Sequence, residues 1–158
     1  EISECLVGSE MCIRDRAAPI KITFRYEIPD YALRGEGEMF FRPMVMNNLY
    51  NQVRSYIWID TSVENRKYGF KDGCSRLVEL DETIQLPAGY KLVSAAKDET
   101  MQGVGADFEG SLVQKGNKVL LHNRLALKKR VYEASDWESF RNAVNAHKAY
   151  GEYLVIKK

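Results

Sequence analysis

The chain has 158 residues, of which 23 are Lys or Arg and 22 are Asp or Glu, with 45% hydrophobic and 11% aromatic residues and three cysteines. A net charge of +1 offers no excess charge for binding nucleic acid, and apolar runs such as Val119–Leu121 and Met39–Phe41 fall far short of the roughly 20 residues of a spanning helix. The composition is that of about one globular domain, and three cysteines suit neither a paired disulfide framework nor a four-ligand zinc site.

Glu1–Arg16 reads EISECLVGSEMCIRDR, and Leu6–Arg16 within it resembles an in-frame translation of a transposon-type sequencing-library adapter. Such a segment is set aside as a foreign tail, and the natural protein is then expected to continue upstream of Ala17. Arg14, Arg16, Glu1, Glu4, Glu10 and Asp15 leave with it, so the remaining 142 residues carry 21 basic and 18 acidic side chains, a net +3. Cys5 and Cys12 leave too, and Cys74 stands alone.

Residues 17–158 are expected to form a single domain. Ile20–Ile28 (IKITFRYEI) alternates apolar and polar residues, the period of a half-buried strand, and Pro29 ends it. Gly35 and Gly37 flank a turn into a short strand, Glu38–Arg42, which Pro43 closes. Residues 44–52 read as a loop. Val53–Ile59 alternates again, with Tyr56 and Trp58 on one side, and predicts a third strand. Residues 60–75 form a long polar connection around Lys67–Phe70. Across Arg76–Leu86, Val78, Leu80, Ile84 and Leu86 share one parity, which predicts a strand, and Pro87-Ala88-Gly89 turns the chain into Tyr90–Val93. Ala106–Gln114 and Lys118–Lys128 are joined by Lys115-Gly116-Asn117, a hairpin signal, with Asn123 the one polar residue on an otherwise aliphatic face.

A helix is predicted near residues 136–148. Ser135 and Glu138 have capping-box spacing, Trp137, Phe140, Ala143, Val144 and His147 recur at helical steps, and Gly151 supplies a stop. Tyr153–Ile156 is the last predicted strand. Many short strands and one late helix point to a mainly β fold, an antiparallel, immunoglobulin-like β-sandwich with the helix against an edge or an end.

Several stations along the chain carry a resemblance. They are Ile28-Pro29-Asp30-Tyr31-Ala32, Phe41-Arg42-Pro43, Glu64-Asn65-Arg66-Lys67-Tyr68, the turn Leu86-Pro87-Ala88-Gly89-Tyr90, the basic residues before Val131-Tyr132, and the end Leu154-Val155-Ile156-Lys157-Lys158. Together they resemble a C-terminal domain of uncharacterised function that follows a transglutaminase-like core in large bacterial proteins. The sequence departs from that pattern after Tyr68, where Gly69-Phe70-Lys71-Asp72 replaces a proline-containing stretch. The resemblance implies an accessory β-sandwich without catalysis of its own and without a cofactor. Its partner would be the upstream core, which carries a Cys-His-Asp triad in its own domain, and its location the periplasm or the cell surface.

The candidate residues are weighed against that reading. Cys74, His122 and Asp136 follow the order of a transglutaminase-like triad, and a thiol acyltransferase would need the His as base and the Asp to orient it. Cys74 instead leads into a strand pattern and is expected to be a small, partly buried thiol. His122 has solvent-facing parity, and Asp136 sits in the first helical turn, where the macrodipole favours a carboxylate. His147 is expected to pack on the apolar helix face rather than bind metal, and Lys128-Lys129-Arg130 to be a solvated strand end. Asp98, Glu99, Asp107 and Glu109 lack calcium-loop spacing and read as solvated. Tyr56, Trp58, Tyr68 and Tyr90 support an alternative, a carbohydrate-binding or adhesive module that stacks sugars on exposed rings.

Overall fold

A computed structural model describes residues 28–47, 59–94 and 96–158. The predicted strands Ile20–Ile28 and Val53–Ile59 lie, but for their last residues, outside these, as do Tyr56 and Trp58. The described residues form ten strands in antiparallel sheets with one long helix near the C-terminus.

The first sheet has the order β1 (Leu33–Arg34), β2 (Glu38–Phe41), β10 (Leu154–Lys157), β5 (Lys91–Ser94). The chain enters it through a turn at Pro29-Asp30, where Asp30 takes φ 53°, a conformation that Asp tolerates better than most residues. The second sheet has the order β4 (Arg76–Gln85), β8 (Lys118–Leu127), β7 (Ala106–Lys115), β6 (Glu99–Gln102). β7 and β8 pair over their full ten residues, and Gly116 in the connecting turn has φ 62°, which fits glycine in a tight hairpin. A small pair, β3 (Phe70–Lys71) with β9 (Val131–Tyr132), sits beside them.

The predicted loop after Pro43 begins as a single helical turn, α1 (Met44–Asn47). Its first amides, Met44 and Val45, donate to the Glu82 carboxylate at 3.1 and 3.0 Å, so a β4 side chain supplies the cap that the local sequence lacks. The long helix, α2, runs Trp137–Ala149, close to the predicted bounds. Its start differs from expectation. A 3-10 turn, Ala134–Asp136, precedes it, and the Glu133 amide donates to Asp136 Oδ2 at 2.9 Å. The chain tightens two residues earlier than the Ser135–Glu138 spacing suggests, and Ser139 donates to the Asp136 carbonyl instead.

The core follows from these periods. Phe108, Leu112, Val119, Leu121, Leu125 and Leu127 share the inner face of the second sheet, and α2 buries Trp137, Phe140, Ala143 and Val144 over one end of it. Leu154, Ile156 and Phe41 from the first sheet complete the same hydrophobic cluster. Gly110 makes room for this packing, since a Cβ there would lie 2.5 Å from the Tyr150 ring and 2.6 Å from that of Phe108. A polar segment straps the outside of α2. Trp137 Nε1 donates to the Val63 carbonyl, Arg141 and Lys148 reach Thr61, and the Arg66 guanidinium lies 4.4 Å over the Trp137 ring and 4.9 Å over that of Phe70.

Candidate functional site

The second sheet decides which chemistry-bearing side chains can meet. His122 and Asn123 are neighbours on β8, so their side chains leave opposite faces. His122 emerges on the outer face, where its Nδ1 lies 2.8 Å from Asp81 Oδ1 across the β4–β8 ladder. Asn123 points inward toward α2 and is fully buried. Its Nδ2 donates to the His147 carbonyl at 3.4 Å, which turns Oδ1 toward His147 Nδ1 at 2.6 Å. In that arrangement Nδ1 carries the hydrogen and donates. The polar intruder on an aliphatic strand and the histidine on an apolar helix face thus satisfy each other where sheet and helix meet.

Asp136 lies on the helix side of the same sheet. Both its carboxylate oxygens accept from the Lys129 ammonium at 2.8 Å, and Oδ2 also accepts from the Glu133 amide. The lysine contact first, and the amide second, hold its carboxyl below the usual aspartate range against the opposing effect of burial. The sheet therefore stands between Asp136 and His122. Cys74 lies beyond the Arg76 end of β4. The ladder runs from the pair Arg76–Leu127 to the pair Asp81–His122, five residues or roughly 17 Å at strand spacing. The structure does not bring Cys74, His122 and Asp136 together.

Cys74 is exposed, not the partly buried thiol expected from its small apolar character. Asp72 takes the inward position instead. Its carboxylate accepts from the Arg76 guanidinium and the Gly73 amide, while Arg76 Nε donates to the Cys74 carbonyl. The basic run after β8 is also more committed than a solvated edge. Lys128 reaches Asp107 Oδ1 at 2.7 Å and the Gly103 carbonyl at 2.9 Å, and Lys129 holds Asp136. Asp107, expected to be solvated, is therefore ion-paired, and the Lys128 contact draws its carboxyl below the usual range. Asp98 accepts from the Leu112 amide at 2.8 Å. Among the described residues no group of three or more His, Cys, Asp and Glu side chains could hold a metal.

Two concavities are lined by described residues. The larger, about 610 Å³, lies between the β6–β7 turn and the start of α2, lined by Gln102, Gly103, Val104, Ser135, Glu138 and Asn142 among others. Ser139 at its wall is already committed, accepting from the Gly105 amide and donating to the Asp136 carbonyl. The smaller, about 360 Å³, surrounds His122 and Asp81 on the outer face. Ser111 stands opposite His122 on β7, so Ser111, His122 and Asp81 form one row across three strands. The row places a carboxylate on an imidazole. The amides of β8 around His122 are spent on its ladders with β4 and β7, and the Leu112 amide beside Ser111 donates to Asp98. Of the aromatic candidates, Tyr68 is 74% exposed beside Lys67, whereas Tyr90 packs against the core. Among the described residues they do not form a shared stacking face.

A family described as a domain of unknown function with a solved structure, DUF3858, matches residues 37–155, and the chain belongs to it. Among curated proteins nothing matches the chain. Among solved structures the fold is similar to that of a protein from Parabacteroides distasonis ATCC 8503 described as a "putative protease", with a TM-score of 0.60 at 14% identity. The similarity covers 75% of this chain and 23% of the other, so this chain spans about a quarter of that protein's length.

Proposed function

We propose that this DUF3858 domain is a non-catalytic accessory unit that packs on and positions a transglutaminase-like catalytic domain of a longer parent protein. One observation carries the reading. The residues a thiol acyltransferase would need are dispersed, with Cys74 exposed at one end of β4, His122 on the outer face and Asp136 across the sheet beside α2. A nucleophile without a base within hydrogen-bond reach gains no activation. The fold similarity gives further support, since it corresponds to about a quarter of a much longer chain.

The purified chain, incubated with an acyl-donor peptide and a primary amine, is expected to give no turnover above the uncatalysed rate, and Cys74→Ala is expected to change nothing. Turnover that depends on Cys74 would overturn the reading.

A further inference from the structure

We infer that the open edge of β6, with the groove between it and α2, binds an extended, basic peptide segment that adds to the second sheet as a further strand. This goes beyond the accessory reading and does not depend on it. The β7–β8 hairpin closes on the pair Lys115–Lys118 across a two-residue turn, so the odd-numbered residues of β7 exchange hydrogen bonds with β8 and the even-numbered ones turn their backbone groups toward β6. Leu112 agrees, since its amide donates to Asp98 Oδ1, just before β6. Phe108 and Gly110 therefore bond to Met101 and Glu99, which lie opposite them, while Thr100 and Gln102 point their N–H and C=O groups away from β7. β6 ends the strand order, and among the described residues no backbone group bonds to these. Such an edge is a template for strand addition.

α2 turns the edge into one wall of a groove. Tyr150, at the end of the helix, donates to the Lys97 carbonyl at 2.8 Å, and Ser139, near its start, accepts from the Gly105 amide at 3.3 Å. The helix is thus pinned to the chain on either side of β6 and runs beside it in the opposite direction. At Gly103 the two approach so closely that a Cβ would lie 2.5 Å from that of Ser139. The half-buried Met101 lines the groove from the strand, and the exposed Glu138 and Asn142, one helical turn apart, line it from α2. Charge selects the occupant. No Lys or Arg lines the groove, Asp136 is spent on Lys129, and Glu138 is left for a ligand. Glu99, exposed and on the same side of β6 as Met101, adds a second carboxylate. A strand laid along Thr100 and Gln102 therefore gains by carrying Lys or Arg toward these carboxylates and an apolar side chain toward Met101. A second copy pairing through its own β6 would instead bring Glu99 to the same edge, like charge against like.

Selection of a random peptide library on the immobilised chain tests the site. The selected peptides are expected to alternate Lys or Arg with β-branched residues. They are expected to lose about tenfold or more in affinity for Gln102→Pro, which removes an outward amide without touching the bonds to β7, and for Glu138→Lys, which reverses the charge of the helix wall. With the strongest peptide bound to the unchanged chain, the Thr100 and Gln102 amides are expected to exchange with solvent about tenfold more slowly while those of Glu99 and Met101 keep their rates, a readout that needs neither variant to fold. An empty selection, peptides that bind both variants undiminished, or slowed exchange at the β4 edge in place of β6 would overturn the inference. Slowed exchange of Thr100 and Gln102 as the chain's own concentration rises, with no peptide present, would seat a second copy at the edge and overturn it as well.

Discussion

The two sheets share one core yet present different outer faces. On the second sheet two outward cross-strand rows are charged, with Glu79 beside Arg124 at 3.7 Å and Asp81 beside His122 at 2.8 Å, and they lie between Leu77 at one end and Leu120 and Val113 at the other. On the first, the central outward row is Leu33, Phe40 and Val155, with Ser94 opposite Val155. Inward-facing residues of the two sheets are alike, aliphatic and aromatic, because both must bury the same cluster. The outward residues are free of that demand, so their difference reports what each face meets.

The contrast between inner and outer faces can be broken most severely at Phe140. It is fully buried and packs edge-on against Phe70 and Tyr132. Phe140→Ala is expected to cost about 3–5 kcal/mol of unfolding free energy in urea titration. Next comes Asn123→Ala, which leaves the buried His147 ring without its 2.6 Å partner and is expected to cost about 1–3 kcal/mol. The same measurement on His122→Ala, one residue along but on the outer face, is expected to show less than about 1 kcal/mol.

The ion pair between Lys129 and Asp136 gives a smaller, pH-dependent effect. The folded-state carboxyl of Asp136 lies below its ordinary value, so its contribution is in place above the unfolded pKa of about 3.9 and is lost as pH falls through the lower folded value. Asp136→Asn is accordingly expected to flatten part of the fall in stability below about pH 4. The smallest effect is expected on the first sheet's outer face, where Leu33→Asp and Val93→Asp should each change the isolated chain's stability by no more than about 0.5 kcal/mol.

Much of this architecture is legible in the chain. The β7–β8 hairpin can be read because Lys115-Gly116-Asn117 interrupts two alternating runs. α2 can be read because Trp137, Phe140, Ala143 and Val144 recur at helical steps. β6 is hidden because Glu99–Gln102 is an edge strand that buries only Met101 in part, so no alternation marks it. Leu33–Arg34 and Val131–Tyr132 are too short to show a period. The strap around Arg66 is equally hidden, since a guanidinium laid over two rings depends on contacts far apart in sequence. The outward parity of His122 and the packed place of His147 follow from counting positions. The bonds between Lys129 and Asp136 and between Lys128 and Asp107 do not, because they join turns to other elements. The apolar band on the first sheet needed the order of its strands. Leu33, Phe40 and Val155 come from three separate segments, and only their register lines them up.

The central claim, that the domain serves by packing on a catalytic domain of the same chain, is tested most directly by calorimetry of the parent protein with and without residues 28–158. The account predicts that removing them lowers the melting temperature of the remaining catalytic domain. Two independent transitions, with the catalytic domain melting at the same temperature in both proteins, would contradict it.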